Sequence, residues 1–282
     1  MHDTTVIGRG TIRLGVVSFL NARPLIDGLE ALEGFELRLA PPSHLLDGLL
    51  AGEHDVALCS SIDFQRSPTP LTILPCGILG CDGETLTVRL YSQVPIHRID
   101  EVHCDQDSHT SIALMQILLR ETHDIDPRIV PYDARERMAG NQPLEWPQSM
   151  LLIGDKVVTD SPPAVRYPHQ IDLGALWARH TGLPFVFATW MTGEDVREDV
   201  ARSAMMVLDH QRRYNHMHLD AIIEREAPAR GWPCDLARTY LREYLTFAWS
   251  TSRQQGLEHF FARAHEHGLL GSQPLRPLAL LS

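Results

Sequence analysis

The chain has 282 residues, of which 25 are basic and 36 acidic, a formal charge of −11 with 44% apolar content. These globular values exclude a disordered or collagen-like chain and the basic footprint of a nucleic-acid binder. The length exceeds one typical core and suits two domains or one large α/β unit, and no run approaches the roughly 18 apolar residues of a membrane span.

The first third alternates strand and helix. "TIRLGVV" (11–17) is a β-branched run and "ARPLIDGLEAL" (22–32) has helical spacing. "FELRLA" (35–40) alternates, "PSHLLDGLLAGE" (42–53) reads as a helix with Ser43 as a possible cap, and "DVALC" (55–59) as a buried strand. "ETLTVRLYSQVP" (84–95) is a longer extended run, after which the alternation restarts. "EVHCD" (101–105), "RIVPY" (128–132), "SMLLIG" (149–154) and "FVFATW" (185–190) read as strands. "SHTSIALMQILLRETH" (108–123) and "DLGALWARHTG" (172–182) read as helices, and the chain is helical from about residue 193 onward. Strands separated by helices of this length imply βαβ units and parallel sheets.

The pattern predicts an α/β protein of two lobes with a helical C-terminal part. Residues 1–92 and 188–282 form the discontinuous first lobe, 93–187 an inserted second lobe, and the cleft between them is the expected ligand site. The N-terminal "MHDTTVIGRGTIRLG" lacks the basic and apolar regions of a signal peptide. The five cysteines contain no CxxC pair, so they are expected to be reduced core thiols of a cytoplasmic protein.

Ligands of such sheets lie at the carboxyl ends of the strands, where this sequence becomes polar. "SFLNARPL" (18–25) follows the first strand, carrying Ser18 and Asn21, and "SSID" (60–63) follows the third, carrying Ser60 and Ser61. In "CDQDSHTSIAL" (104–114), Ser108, His109, Thr110 and Ser111 open an apolar helix. Three hydroxyls within four residues exceed what an N-cap needs and mark a carboxylate or phosphate site at a helix N-terminus. "LLIGDKVV" (151–158) places Gly154 and Asp155 at another strand end, where a plain β-turn is the competing reading. The pairs "HMH" (216–218) and "HEH" (265–267) have i,i+2 spacing and point to different helix faces, so no metal site is expected. No GxSxG, P-loop or GxGxxG is present. The aromatics of "YLREYLTFAW" (240–249) have helical spacing and read as core.

"SFLNARPL", "DVALCSSID", "SHTSIAL", "LIGD" and "DLGALWARHTGLPFVFATW" occur in an order that resembles the chorismate dehydratase family, over nearly the whole chain from residue 12 to residue 270. The resemblance implies a type II periplasmic-binding-protein-like fold and conversion of chorismate to 3-[(1-carboxyvinyl)oxy]benzoate and water. That reaction is the first step of the futalosine route to menaquinone, and it uses no metal or organic cofactor. The family usually has serine where this chain has Thr87, and "PS.E" where it has "SSID".

The resemblance makes Asn21 and Thr87 the catalytic candidates. Ser18, Ser60, Ser61, Ser108, His109, Thr110, Ser111, Gly154 and Asp155 are the substrate-binding candidates. These positions offer hydroxyls and an amide but no well-marked base, so the substrate's own enolpyruvyl carboxylate is the expected proton acceptor, with Asp155 the conventional alternative. Two other readings stand beside this one: a 1,4-dihydroxy-6-naphthoate synthase-like lyase of the same pathway, and a non-catalytic small-carboxylate-binding protein. The expected partner is a small molecule; neither nucleic acid nor membrane is expected.

Overall fold

In the computed structural model, which describes residues 10–133, 145–271 and 274–282, the sequence forms two mixed sheets. Strand β1 (Ile12–Val16) pairs in parallel with β2 (Phe35–Leu39) on one side and β3 (Val56–Ser60) on the other. All five residues of β3 are buried, as a central strand covered on both faces requires. β4 (Leu71–Cys81) and β10 (Phe185–Gly193) extend the sheet, with β10 antiparallel to both β3 and β4, and β11 (Leu245–Thr246) closes its edge. The second sheet has the order β7-β6-β8-β5-β9, built from β5 (Val88–Ser92), β6 (Glu101–Asp105), β7 (Arg128–Tyr132), β8 (Ser149–Ile153) and β9 (His169–Asp172). β5 runs antiparallel to β8 and β9, and the remaining pairs are parallel.

Each sheet is the centre of one lobe. The chain leaves the first sheet at Cys81 and joins the second at Val88, then returns between Asp172 and Phe185. By sheet membership β5, which a division at 92/93 leaves in the first lobe, pairs within the second. Leu90 and Tyr91 of β5 are buried within this second sheet.

Other elements depart from expectation for local reasons. β4 is not apparent as a strand because Pro75, Gly77 and Gly80 interrupt its apolar pattern. The helix expected over 22–32 shortens to Arg23–Ile26, since Gly28 takes φ 83° and its missing Cβ leaves room for Gln211 Nε2 at 2.8 Å. The helix expected through 234–250 gives way after Thr239 to a π-helical turn, Tyr240–Tyr244, and then to β11. Four of the five cysteines are buried and all are free thiols. No helix among the described residues is long and apolar enough to cross a membrane.

The two crossings are tied by one carboxylate. Asp172 caps the helix Leu173–Thr181 by accepting the Ala175 N–H at 3.0 Å. It also accepts the N–H groups of Thr85 at 3.0 Å and Leu86 at 2.8 Å on the outgoing crossing. Leu86 has φ 59°, and the Thr87 N–H closes onto the Thr85 carbonyl at 2.6 Å, a γ-turn. Such a turn at a non-glycine residue costs about 1–3 kcal/mol. Gly174 makes the close approach possible, because a Cβ there would meet Thr85 Cγ2 at 2.3 Å and the Gly83 carbonyl at 2.5 Å.

The lobes also touch across the cleft. His109 Nδ1 meets Asp63 Oδ1 at 2.8 Å, and the Ile62 N–H donates to Thr110 Oγ1 at 3.1 Å. Asp155 accepts the Leu20 N–H at 3.2 Å and the Trp232 indole N–H at 3.1 Å.

Two predictions follow from these ties. Asp172→Ala removes a cap and strands the buried Thr85 N–H, so urea unfolding should show a loss of about 2–4 kcal/mol; a loss within 0.5 kcal/mol, roughly that of a neutral surface change, would mean the crossings hold without it. The hydrogen bond to Asp63 raises the His109 imidazole above its usual value, about 6.5 when unfolded. Its contribution is therefore full below about pH 6.5 and fades as pH rises through the raised value. His109→Gln should cost more stability at about pH 6 than at about pH 9, by under about 1 kcal/mol since the imidazole is partly in solvent; an equal cost at both would remove the charged pair.

Candidate active site

A cavity lies where the strand ends of the two sheets face each other. The segment after β1 contributes Val17, Phe19 and Asn21, and β3 contributes Leu58 and Ser60. The crossing contributes Thr85, Thr87 and Val88. The turn after β6 gives Asp107, Ser108 and Ser111, and the end of β8 gives Ile153 and Gly154. Phe187, Ala188, Tyr240 and Leu245 complete the walls together with Pro42 and Leu79. Most of the surface is apolar, with a few polar groups facing one space, as in a small-molecule site.

The local folding of each polar group has a physical cause. Asn21 sits in a 3-10 turn directly after Phe19, with Pro24 in the first turn of the helix that follows, so the amide is fixed at a strand end. Ser108 is the N-cap of the helix His109–His123; it accepts the Ser111 N–H at 3.2 Å and donates to the Ser111 hydroxyl at 2.8 Å. The two hydroxyls are thus ordered at the positive end of a 15-residue helix. Gly154 has φ 70° and donates its N–H to the Thr87 carbonyl at 2.9 Å, which ties the second lobe's strand end to the crossing.

Thr87 meets the phenol of Tyr240, with Asn21 lining the same cavity. Thr87 Oγ1 lies 2.6 Å from Tyr240 Oη. Tyr240 is fully buried, and burial pushes its phenol well above the usual range, so it stays protonated at every working pH. Its ring stacks on Trp232 with centroids 4.9 Å apart and planes 19° apart.

Charge around the cavity is sparse. Among the described lining residues none is Lys, Arg or His, and Asp107 is the single carboxylate. Lys156 Nζ bonds Asp107 Oδ2 at 3.0 Å and also pairs with Asp105. Lys156 and Ser18 line an adjoining groove that shares Val17, Phe19, Pro42 and Asp107 with the cavity. No cluster of three or more His, Cys, Asp or Glu that could hold a metal occurs among the described residues.

Of the expected site residues, Asn21, Ser60, Thr87, Ser108, Ser111 and Gly154 converge on the cavity. The other five do not line it. Ser18 is exposed in the adjoining groove, and its carbonyl accepts from Arg230. Ser61 is buried behind the wall, with its N–H on the Phe187 carbonyl. His109, Thr110 and Asp155 are spent on the contacts between lobes. Asp155 accepts from the Leu20 N–H and the Trp232 indole, and burial raises its carboxyl. Tyr240 escaped sequence reasoning because its helical spacing reads as core. The local signal, a π-turn before a two-residue strand, exists only in the fold.

Residues 12–266 match the family model described as menaquinone biosynthesis. The chain is 30% identical over 242 residues to the chorismate dehydratase of Thermus thermophilus, covering 81% of this chain and 86% of that protein. Among solved structures it superposes on a protein of Archaeoglobus fulgidus with a TM-score of 0.72 at 15% identity, covering 92% of this chain and 98% of the other. It superposes on the periplasmic aliphatic sulphonate binding protein SsuA of Escherichia coli with a TM-score of 0.62 at 14% identity, covering 94% and 95%. The fold is that of the two-lobed type II periplasmic binding proteins, and the chain belongs to the menaquinone-biosynthesis family.

Proposed function

We propose that the protein is a hydro-lyase that converts chorismate to 3-[(1-carboxyvinyl)oxy]benzoate and water, the entry step of the futalosine route to menaquinone. Family membership and the Thermus relative support this reading. The observation that carries it is a cavity furnished with hydroxyls and one amide, whose only carboxylate among the described lining residues is already engaged by a lysine. Free thiols inside the core suit a reducing compartment, in keeping with a cytoplasmic enzyme.

Chorismate carries two carboxylates, a hydrogen on C3 and a hydroxyl on C4. Loss of water across these carbons makes the ring aromatic, so the reaction runs downhill once the C3 proton leaves. The enolpyruvyl carboxylate is joined to C3 through the ether oxygen and can fold back on that proton. The protein's task is then to hold the dianion in this conformation and to help the C4 oxygen depart. Ser108, Ser111 and the helix start beneath them take a carboxylate. Asn21 and Thr87 grip the leaving hydroxyl. Water exclusion by the apolar walls strengthens each of these hydrogen bonds.

Incubation of the purified protein with chorismate, followed by ultraviolet absorbance and product mass, should show loss of the diene and a product lighter by one water. An unchanged substrate that nonetheless binds would favour the small-carboxylate binder, and turnover of a cyclic futalosine-type substrate instead would favour the naphthoate-synthase reading. For the anion subsite, Ser111→Ala should weaken product binding by about tenfold or more, as for loss of one hydrogen bond to a charged group. Unchanged affinity by titration calorimetry would make Ser108 and Ser111 a helix cap only.

A further inference from the structure

Thr87 and Tyr240 share a hydrogen bond whose direction can be worked out atom by atom, with Asn21 in the same cavity wall. Among the described residues the phenol's hydrogen bond is to Thr87 Oγ1, and Asn21 Oδ1, in the same cavity wall, is buried with no partner. A fully buried phenol hydrogen left unpaired is costly, so it goes to Thr87 Oγ1 at 2.6 Å. The hydroxyl hydrogen of Thr87 is then left over. Its alternative acceptor, the Thr85 carbonyl, stands at 3.5 Å and is a poor one. Tyr240 cannot turn away, because it is fully buried and stacked on Trp232, whose indole N–H is fixed on Asp155.

We infer that Tyr240 is a positioning residue that holds the Thr87 hydroxyl in one sense, as a donor beside the acceptor Asn21 Oδ1, toward a single hydroxyl of the ligand. This rests on the dehydratase reading, in which that hydroxyl is the one on C4. A hydroxyl satisfies both atoms: its oxygen accepts from Thr87 and its hydrogen goes to Asn21. An ammonium at the same carbon has no lone pair for Thr87 and leaves that donor unpaired. The oriented Thr87 hydroxyl and Asn21 Oδ1 are therefore also a specificity device, selecting hydroxyl over amine at the leaving position.

The test is a double-mutant cycle on kcat with chorismate, joined to inhibition by the analogue that carries an amino group at C4. Tyr240→Phe keeps the ring and its stack and removes only the bond to Thr87. It should lower kcat about 10–100-fold with KM nearly unchanged, and narrow the preference for chorismate over the amino analogue. In a Thr87→Val background, which has no hydroxyl to orient, Tyr240→Phe should have little further effect. A kcat for Tyr240→Phe equal to wild type, or a fall of the same factor in both backgrounds, would overturn the inference while leaving the dehydratase reading intact. A wild-type protein that does not turn over chorismate would overturn both. Should Tyr240→Phe fail to fold, Tyr240→3-fluorotyrosine supplies a stronger donor in nearly the same volume. It should change kcat in the wild-type background and not with Thr87→Val; an equal response in the two would count against the inference in the same way.

Discussion

The carboxylate of Asp172 is the constraint on which the rest of this architecture depends. It receives N–H groups from both crossings between the lobes, one from the helix it caps and two from the segment that leaves the first sheet. Without it the γ-turn at Leu86 would open, since nothing intrinsic to leucine favours a positive φ. That turn aims Thr87 at the cavity and hands its carbonyl to Gly154 on the other lobe. A strained backbone held by a charged acceptor is a common way to fix a catalytic group more rigidly than a relaxed loop could.

Polar residues at the strand ends divide into two kinds of work. One set closes the cleft: His109 with Asp63, Thr110 with the Ile62 N–H, and Asp155 with Leu20 and Trp232. The other set faces the cavity: Asn21, Thr87, Ser108 and Ser111. Neighbours in sequence fall on opposite sides of this division because adjacent residues at a helix start point about 100° apart. Opening the lobes would break the first set and dismantle the second, so binding and closure are energetically linked. A binding-protein frame becomes suitable for elimination chemistry once its closed state excludes water and presents directional hydrogen bonds.

Much of this was legible in the sequence. Alternating strands and helices with a restart after residue 95 gave two α/β units, and the polar strand ends located the cleft. What could not be read were features set by tertiary contact. β4 is masked by Pro75, Gly77 and Gly80, yet its place between β10 and β11 makes it a central strand. Asp155 carries a titratable group at a strand end and so looked like a base, but its partners come from residues 20 and 232, far away in the chain. Tyr240 looked like core and is core, with only its hydroxyl group serving the site.

The central claim is that the protein orients a substrate that carries its own base. The most direct measurement is steady-state turnover of chorismate by Asn21→Asp, with folding checked by circular dichroism. An aspartate there places a negative charge close to the substrate's carboxylate and removes the amide's donor from the cavity, so kcat should fall by about 10²–10³-fold or more. An Asn21→Asp protein as fast as the wild type would show that position 21 acts as a proton acceptor, and would contradict the account.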